Sequence, residues 1–486
     1  MNSTESHDAP VINATRNKAS ARVLFVTSEM GGYLKAGGLG EVSAALPRAM
    51  RGLCDVRVLM PGFPSVRRLH ADIEVIRQMP GTADLPAWSL GRVVTADKLT
   101  IYLVLCDELY NREGSPYSGP DGIEFPDNDI RFARLSLAAA EIVAGEADPS
   151  WCPDILHAND WPSALSVGYI RWRNINTPSI LTIHNLAYQG LYSSHRLGAL
   201  GVPEAAFQVE GSEFHGQLSF LKTGIYYASH VTTVSETYAR EITTADHGCG
   251  LHGLLTRRMN DGELTGILNG IDASWTELSD DVRTNDDVNV WKAKNAEEVR
   301  DLFGLSASNG PLFSIVSRLV HQKGIDLSIE VADTIVQNGG QLVVTGKGDP
   351  VIEDAVRELA KRHPGSVGAR IGFDDAEARA MFSGSDFLLM PSRFEPCGLG
   401  QMYAQSVGSL PIAYKTGGLA DTIDDGRSGF LFSSPNERSL THAVARALGA
   451  FRSKPRISRM RKNALSKRFD WKASAQRYLG VYSTSL

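Results

Sequence analysis

Two successive series of short apolar runs, separated by helical patterns, restrict the possible folds of this chain more than any other feature. The first series is RVLFVTS (22–28), DVRVLMP (55–61), LTIYLVL (99–105), DILHA (154–158), PSILTIHN (178–185) and HVTTVS (230–235). The second is PLFSIVSRL (311–319), QLVVTG (341–346), VGARIGF (367–373), DFLLMPS (386–392) and LPIAYK (410–415). Apolar strands that alternate with helices form βαβ units, whose parallel strands are covered by helices on both faces. The pattern predicts an α/β protein with two doubly wound, Rossmann-like parallel-sheet domains.

The length of the chain, 486 residues, also requires more than one core. A polar, acidic stretch at 275–291 has no apolar period and marks the boundary, so we expect one domain over 21–273 and a second over 274–465. Residues 1–20 are polar and lack the apolar segment of a signal peptide, which predicts a disordered tail. Because doubly wound sheets bind ligands outside the carboxyl ends of their strands, the cleft between the two domains is the expected site.

The composition excludes several classes of partner. Lys+Arg 49 against Asp+Glu 55 gives a net charge of −6, which favours neither nucleic acid nor an anionic membrane. No apolar run approaches the roughly 20 residues that span a bilayer. The five cysteines are scattered, as is typical of reduced cytosolic thiols, and Cys249 with His252 lacks the second pair of a zinc site. We expect a cytoplasmic protein without a metal or other cofactor.

The stretch LKAGGLGEVSAALP (34–47) leaves the first strand and enters an Ala-rich helical pattern. Paired glycines, Gly37 and Gly38, let a ligand approach the backbone closely, and a helix N-terminus beside Lys35 favours an anion such as phosphate. A tight turn with a solvated lysine explains the stretch equally well. A second copy of the pattern, KTGGLADT (415–422), follows a strand of the second series. Two copies in matching contexts favour the phosphate interpretation.

Polar residues cluster where the predicted strands end. The first series supplies HAND (157–160) and then His184 and Asn185, and the second supplies Arg318 with Lys323 and then Glu395 with Gly398. Each of these residues also has a structural explanation, such as a strand cap, a surface ion pair or a capping carboxylate. Their joint occurrence at strand ends favours one shared site.

Together with Lys35, the residues Arg318 and Lys323 would bring three cations to such a site. Three cations suit a leaving group that gains negative charge, such as a nucleoside diphosphate. Neither a nucleophilic Ser-His-Asp order nor a Walker lysine motif is present. The segment Asp127-Asn128-Asp129 has the form of a metal-binding Asp-x-Asp, but it begins a helix, where first-turn acids are favoured by the helix dipole. We therefore expect no catalytic metal.

These motifs come in the order found in one enzyme family. They are SEMGGYLKAGGLGEV (28–42), MPGFP (60–64), GSPYS (114–118), HANDW (157–161), TIHNLAYQG (182–190), VSETYAREI (234–242), GILNGID (266–272), SRLVHQKGID (317–326), EPCGLGQMYA (395–404) and KTGGLADTI (415–423). After about residue 21 the chain resembles bacterial glycogen synthases and the related starch synthases. The resemblance implies a glycosyltransferase-B fold, two domains facing a cleft, and a C-terminal helix (466–486) that crosses back to the first domain.

The resemblance also implies an activity and two substrates. The implied activity is the transfer of glucose from ADP-glucose to the non-reducing 4-hydroxyl of an α-1,4-glucan such as glycogen. The configuration of the anomeric carbon is retained in this transfer. In the family, the residues that match Lys35, Arg318 and Lys323 hold the diphosphate, while those that match Tyr117 and Phe373 approach the nucleotide. No nucleic acid and no membrane is implied as a partner.

Further matches concern the sugar. The family's equivalents of His184 and Glu395 hold the glucose, that of Asp160 lies beside it, and that of Asn269 lines the site. With Arg318 and Lys323, the first three make up the expected catalytic set. The other expected substrate-binding residues are Gly37, Gly38, Asn185, Cys397, Gly398 and Leu399. The thiol of Cys397 is expected to have a lowered pKa, because it lies beside a predicted helix N-terminus.

A few positions depart from the usual family pattern. Asn159 stands where a second histidine is usual, and Gly400 stands where threonine is usual. Glu236 replaces a common proline, and His252 replaces a common acid. Two other functions stay open at this point. One is a relative that uses UDP-glucose or another acceptor, and the other is a non-catalytic glucan-binding protein, which the presence of Lys35 and Glu395 disfavours.

Overall fold

The computed structural model describes residues 21–284 and 287–486. The expected tail, residues 1–20, lies outside this range. The elements of the first part of the chain are β1 (Arg22–Val26), α1 (Gly38–Met50), β2 (Asp55–Pro61), α2 (Pro64–Leu69), β3 (Glu74–Met79), β4 (Trp88–Val94), β5 (Thr100–Leu105), α3 (Asp107–Tyr110), α4 (Asn128–Val143), β6 (Ile155–Asn159), α5 (Trp161–Trp172), β7 (Ser179–Ile183), β8 (Leu191–Ser193), β9 (Glu213–Phe214), β10 (Gln217–Ser219), α6 (Phe220–Tyr227), β11 (His230–Thr233), α7 (Glu236–Glu241), α8 (His252–Asn260) and β12 (Leu264–Gly266).

The remaining elements are α9 (Ala273–Thr284), α10 (Val288–Phe303), β13 (Leu312–Val316), α11 (Ile325–Gln337), β14 (Gln341–Gly346), α12 (Pro350–Arg362), β15 (Val367–Ile371), α13 (Asp375–Gly384), β16 (Phe387–Met390), α14 (Gly400–Ser406), β17 (Leu410–Tyr414), α15 (Gly417–Thr422), β18 (Phe430–Phe432), α16 (Glu437–Phe451), α17 (Lys454–Ser466) and α18 (Trp471–Ser485). Short 3-10 segments lie at Ser194–Arg196, Glu204–Ala206 and His321–Lys323.

The first sheet has the strand order β12-β11-β7-β6-β1-β2-β5-β4-β3 among the described residues. Its strands are parallel from β12 to β5, whereas β4 is antiparallel to both β5 and β3. All residues of β6 and β7 are buried, as continuous apolar strands in a covered parallel sheet should be. The chain reverses its direction of winding between β1 and β6, so the carboxyl ends of these two strands open a crevice.

The second sheet is parallel throughout and has the order β15-β14-β13-β16-β17-β18. Its winding reverses between β13 and β16, which places a second crevice there. The prediction of two doubly wound parallel-sheet domains is confirmed.

The stretch at 275–291 is more ordered than its composition indicates. Apart from residues 285 and 286, which lie outside the described range, most of it belongs to α9 and α10. Trp275 stacks on Tyr403 with ring centroids 4.6 Å apart, and it meets the edge of Phe382 at 5.6 Å. The domain boundary proposed near residue 273 stays a prediction.

The last helix, α18, follows the elements of the second sheet in the chain, but it packs on the first sheet. Its Tyr478 and Tyr482 are buried in the same core as β1 and α1. The hydroxyl of Tyr482 lies 2.7 Å from Nδ1 of His157, while Nε2 of that ring lies 2.7 Å from Oγ1 of Thr182. Burial lowers the pKa of His157 to about 3, so the ring is neutral. His157, a candidate site residue in the sequence, is therefore a structural link between the sheet and the last helix.

Candidate active site

The two crevices face each other, and the loops between them make direct contact. Ser235 Oγ donates to the carbonyl of Pro396 over 2.6 Å. At the rim, the Asp421 carboxylate accepts from Thr237 N over 2.9 Å and from Thr237 Oγ1 over 2.5 Å. A cleft of about 1010 Å³ lies between the domains. Of the predicted site residues, Lys35 and Phe373 line this cleft, and Phe373 is 66% exposed.

The glycine loop after β1 is organised around Glu29, a buried carboxylate. Its Oε2 accepts from the N–H groups of Ala36 (2.6 Å) and Gly37 (3.0 Å), and its Oε1 accepts from the Tyr117 hydroxyl (2.9 Å). The predicted anion position at Gly37 is thus occupied by a carboxylate of the protein itself. Lys35 extends from the loop and pairs with Glu41 over 2.6 Å. The loop therefore presents its exposed lysine, while the Gly37 N–H points inward.

The second glycine loop is used differently. The Glu241 carboxylate of α7 accepts from Gly417 N (3.1 Å) and Thr416 Oγ1 (3.0 Å), and Gly418 N donates to the carbonyl of Glu395 over 3.1 Å. A Cβ added at Gly417 would lie 2.0 Å from that same carbonyl, which explains the glycine. In this copy the Gly417 N–H is bound by Glu241 of the first domain, whereas the Gly418 N–H bonds to a carbonyl of its own domain. That this loop binds phosphate stays a prediction.

Asp160 follows β6 in a backbone conformation that is close to glycine-only. Its φ is 58° and its ψ is −178°, a region that costs about 1–3 kcal/mol for other residues and is concentrated at functional sites. Its Oδ1 accepts from the N–H groups of His184 (3.0 Å) and Asn185 (3.4 Å). Burial nevertheless raises the pKa of Asp160 to about 7, because the desolvation of the carboxylate outweighs these two bonds.

His184 is the first residue after β7 and lies directly against Asp160. Burial lowers the pKa of its ring to about 3, so the imidazole is neutral. Its Nε2 lies 3.1 Å from Oδ1 of Asn159, a fully buried amide at the end of β6. Asn185 is half-buried, and its Oδ1 accepts from Ala187 N over 3.1 Å. Asn159, Asp160, His184 and Asn185 therefore form one polar surface at the carboxyl ends of β6 and β7, beside the switch point of the first sheet.

The second sheet contributes a carboxylate and two cations at its own switch point. Glu395, which follows β16 and is 6% exposed, accepts from Lys323 Nζ (2.5 Å) and Ser392 Oγ (2.9 Å). Arg318 follows β13 and is exposed, and among the described residues its guanidinium makes no ion pair. Lys323 is thus tied to Glu395, whereas Arg318 is available to a ligand.

The loop after Glu395 packs against the end of β12. Gly398 has a φ of 70°, and Leu399 precedes α14. The N–H of Asn269 faces the Cys397 thiol, and Oδ1 of Asn269 is buried without a hydrogen-bond partner among the described residues. The expectation of a reactive thiol is wrong. Cys397 is enclosed by both domains, and burial raises its pKa to about 12.

The Asp-x-Asp segment has a structural role. Asp127 pairs with Arg112 over 2.6 Å, and Asp129, in the first turn of α4, pairs with Arg196 over 2.5 Å. Within residues 21–284 and 287–486, no group of three or more His, Cys, Asp or Glu side chains is placed to hold a metal ion. In the same part of the chain, every helix is too short or too polar to cross a membrane.

Sequence reasoning missed the residues that support the site. Glu29 holds the lysine loop, Ser392 holds Glu395, and Glu241 holds the second glycine loop. Glu29 could have been found, since it is an acid at a strand end directly before the loop. Ser392 and Glu241 stand in polar stretches without a distinctive sequence pattern, and only the fold brings them next to their partners.

Family models match both halves of the chain. The model for a starch synthase catalytic domain matches residues 22–257, and the model for glycosyl transferases group 1 matches residues 300–466. The chain is 55% identical over 464 residues to a glycogen synthase of Pseudomonas syringae pv. syringae, covering 95% of this chain and 96% of that one. It is 53% identical over 458 residues to glycogen synthase 1 of Bradyrhizobium diazoefficiens, covering 93% and 99%.

Solved structures agree with these matches. The catalytic domain of starch synthase IV from Arabidopsis thaliana, bound to ADP and acarbose, superposes with a TM-score of 0.83 at 28% identity, covering 96% of this chain and 99% of that one. A sucrose-phosphate synthase from Thermosynechococcus elongatus superposes with a TM-score of 0.58 at 18% identity, covering 96% and 98%. The second likeness concerns the fold alone.

Proposed function

The chain belongs to the glycogen synthase family, and from this premise we propose that it transfers glucose from ADP-glucose to the non-reducing 4-hydroxyl of an α-1,4-glucan, with retention, in the cytoplasm. In this proposal the domain over 274–465 binds the nucleotide sugar, and the domain over 21–273 binds the glucan. The observation that carries the proposal is the group at the second switch point, where Arg318 and Lys323 lie with the buried Glu395.

The cations account for the departure of ADP. When the bond between the sugar and the phosphate breaks, the diphosphate gains charge, and cations already in position stabilise it without reorganisation. Arg318 can meet this charge directly, because it is exposed and makes no ion pair among the described residues. Lys323 is held by Glu395 over 2.5 Å and needs no further ordering. Lys35 can add a third charge from the opposite domain.

We place the sugar between the two switch points. Glu395 retains acceptor capacity for glucose hydroxyls beyond its bonds to Lys323 and Ser392. From the other side, His184, Asp160 and Asn269 offer a neutral ring, a carboxyl group and a buried amide oxygen without a partner in the described chain. These are hydrogen-bonding groups for a neutral, hydroxyl-rich ligand. The flanking groups Gly398 and Leu399 and the aromatic Phe373 complete the proposed donor site.

Retention has two possible routes, and the geometry favours the one without a protein nucleophile. Double displacement needs an ionised carboxylate that is free to attack the anomeric carbon. Glu395 is bound by Lys323, and the pKa of Asp160, raised to about 7 by burial, leaves that carboxyl group partly protonated at neutral pH. We therefore propose that ADP departs first, that an oxocarbenium-like sugar forms, and that the acceptor hydroxyl attacks from the same face. The departing phosphate takes the acceptor's proton.

The test supplies labelled glucose on two donors. The purified chain receives glycogen with ADP-[¹⁴C]glucose or UDP-[¹⁴C]glucose, and label in ethanol-insoluble glucan is measured. We expect incorporation from ADP-glucose at a much higher rate, and release of that label by an exo-acting α-1,4-glucan hydrolase, which attacks non-reducing ends. Incorporation from UDP-glucose alone would support the alternative donor, and no incorporation from either would refute the proposal.

A further inference from the structure

The side chain of Asn159 connects the backbone of the first sheet to the ring of His184. It is fully buried at the end of β6. Its Nδ2 lies 3.1 Å from the carbonyl oxygen of Val26, at the end of β1, and 3.4 Å from that of His157. Its Oδ1 lies 3.1 Å from Nε2 of His184. Every polar atom of the amide therefore has a partner.

These contacts determine which way the amide points. Carbonyl oxygens only accept hydrogen bonds, so the NH₂ group must face Val26 and His157. The amide oxygen then faces the His184 ring, and an oxygen can only accept there. Nε2 of His184 must consequently carry the proton that forms this bond.

The remaining ring nitrogen follows by elimination. Because burial keeps the ring neutral, only one nitrogen carries a proton, and Nδ1 is left with a lone pair. Nδ1 has no hydrogen-bond partner among the described residues. It lies on a ring that directly follows β7 at the switch point, beside Asp160, whose Oδ1 accepts from the His184 backbone N–H over 3.0 Å.

We propose that Asn159 is a positioning residue that fixes the Nε2–H tautomer of His184 and so keeps Nδ1 as a hydrogen-bond acceptor for the substrate. The assignment of the tautomer stands on the contacts alone. The identity of the group that donates to Nδ1, a hydroxyl of the donor glucose, rests on the proposed function.

The consequence is selectivity for a donor group at one place on the sugar. The lone pair of Nδ1, held in position, accepts a hydrogen bond from a sugar hydroxyl. It forms no hydrogen bond with a group that has no proton to donate. Without Asn159 the ring can adopt either tautomer, and part of the population presents an N–H where the acceptor is needed. Asn159 itself is buried behind the ring and does not need to touch the substrate.

The tautomer is measured first, on the substrate-free protein. Long-range ¹H–¹⁵N correlation spectra of the chain labelled with [¹⁵N]histidine distinguish protonated from unprotonated ring nitrogens. A variant His184→Gln identifies the His184 signals among those of the 12 histidines. We expect the Nε2–H form alone, unchanged between pH 6 and 8. An Nδ1–H form, or a mixture, in the wild type would overturn the proposal, whether or not the protein transfers glucose.

Two variants then separate positioning from packing. Asn159→Leu removes the acceptor, and we expect mixed tautomers and a loss of about tenfold in kcat/KM, the value of one hydrogen bond. Asn159→Asp keeps an acceptor oxygen for Nε2–H, and when its second oxygen carries a proton, that O–H replaces the Nδ2 donor toward the carbonyls of Val26 and His157. In that state we expect the Nε2–H form to persist. If Asn159→Leu retains the single tautomer, the proposal is wrong. If that variant does not fold, the wild-type spectrum together with that of Asn159→Asp decides.

The ligand is tested with ADP-glucose analogues that each lack one hydroxyl. In the wild type, the analogue that lacks the hydroxyl bound by Nδ1 should lose about tenfold or more in kcat/KM. In Asn159→Leu that same analogue should lose much less relative to ADP-glucose. If every analogue lowers kcat/KM by the same factor in the two proteins, Nδ1 accepts no hydrogen bond from a substrate hydroxyl. This result would refute the proposed ligand even if the tautomer is as proposed.

Discussion

Replacing Asp160 by Asn should remove a pH-dependent loss of stability that the wild-type protein carries. The Asp160 carboxyl group is 8% exposed, and burial raises its pKa to about 7. In the unfolded chain the same group has a pKa of about 3.9. The folded protein therefore binds this proton more tightly, and ionisation of Asp160 costs stability as the pH rises from about 4 to about 7.

The size of the effect follows from this difference. About three pKa units correspond to roughly 4 kcal/mol, an upper figure that is reached once the pH exceeds the folded-state value. Asn is close to Asp in shape and keeps Oδ1 for the N–H groups of His184 and Asn185. At pH 8.5 Asp160→Asn should thus be more stable than the wild type by several kcal/mol, whereas at pH 4.5 the two should differ little.

The assay is urea unfolding, followed by tryptophan fluorescence, of both proteins at pH 4.5, 6.5 and 8.5. The neutral buried rings of His157 and His184 also respond to pH, but they are present in both proteins and cancel in the difference. Parallel stability curves for the two proteins over this range would refute the reasoning, because they would mean that the buried carboxyl group does not hold its proton.

Three further predictions concern other parts of the molecule. The exposed Cys249 should react with a thiol reagent much faster than Cys397, because burial raises the pKa of Cys397 to about 12. Fast labelling of Cys397 that is prevented by ADP would contradict its enclosed position. Deleting residues 471–486 exposes the core around α1 and removes the Tyr482–His157 bond, so the melting temperature and glucose transfer should both fall, and a truncated chain that stays active would show that α18 is dispensable. Fluorinated ADP-glucose analogues should leave no glucose on the protein, and mass spectrometry that finds one glucose on Asp160 or Glu395 would restore double displacement.

The sequence was sufficient for the central strands because of where they lie. Strands such as β6 and β7 are buried on both faces, so their apolar runs are continuous and easy to recognise. The antiparallel edge strand β3 was not predicted, since most of its side chains are exposed and its pattern is polar. β12 has only three residues and shows no pattern of its own.

Candidate site residues could be found wherever a polar side chain follows a buried strand, as Asp160, Arg318 and Glu395 do. Properties that depend on the meeting of distant segments could not be read in this way. Cys397 is enclosed only because the loop after β16 packs against the end of β12, which reverses the expected shift of its pKa. The pattern at Gly37 and Gly417 is similar in sequence, yet a different carboxylate, Glu29 or Glu241, occupies each loop.

The most direct test of the account is the turnover of Arg318→Ala at saturating ADP-glucose. Arg318 is exposed and makes no ion pair within the described chain, so its removal should leave the melting temperature unchanged. Because its proposed role is to stabilise the departing diphosphate, kcat should fall by about a hundredfold or more. Arg459→Ala, which removes an exposed arginine from α17, is the matched control and should keep wild-type turnover. A near wild-type kcat for Arg318→Ala would contradict the proposed diphosphate site.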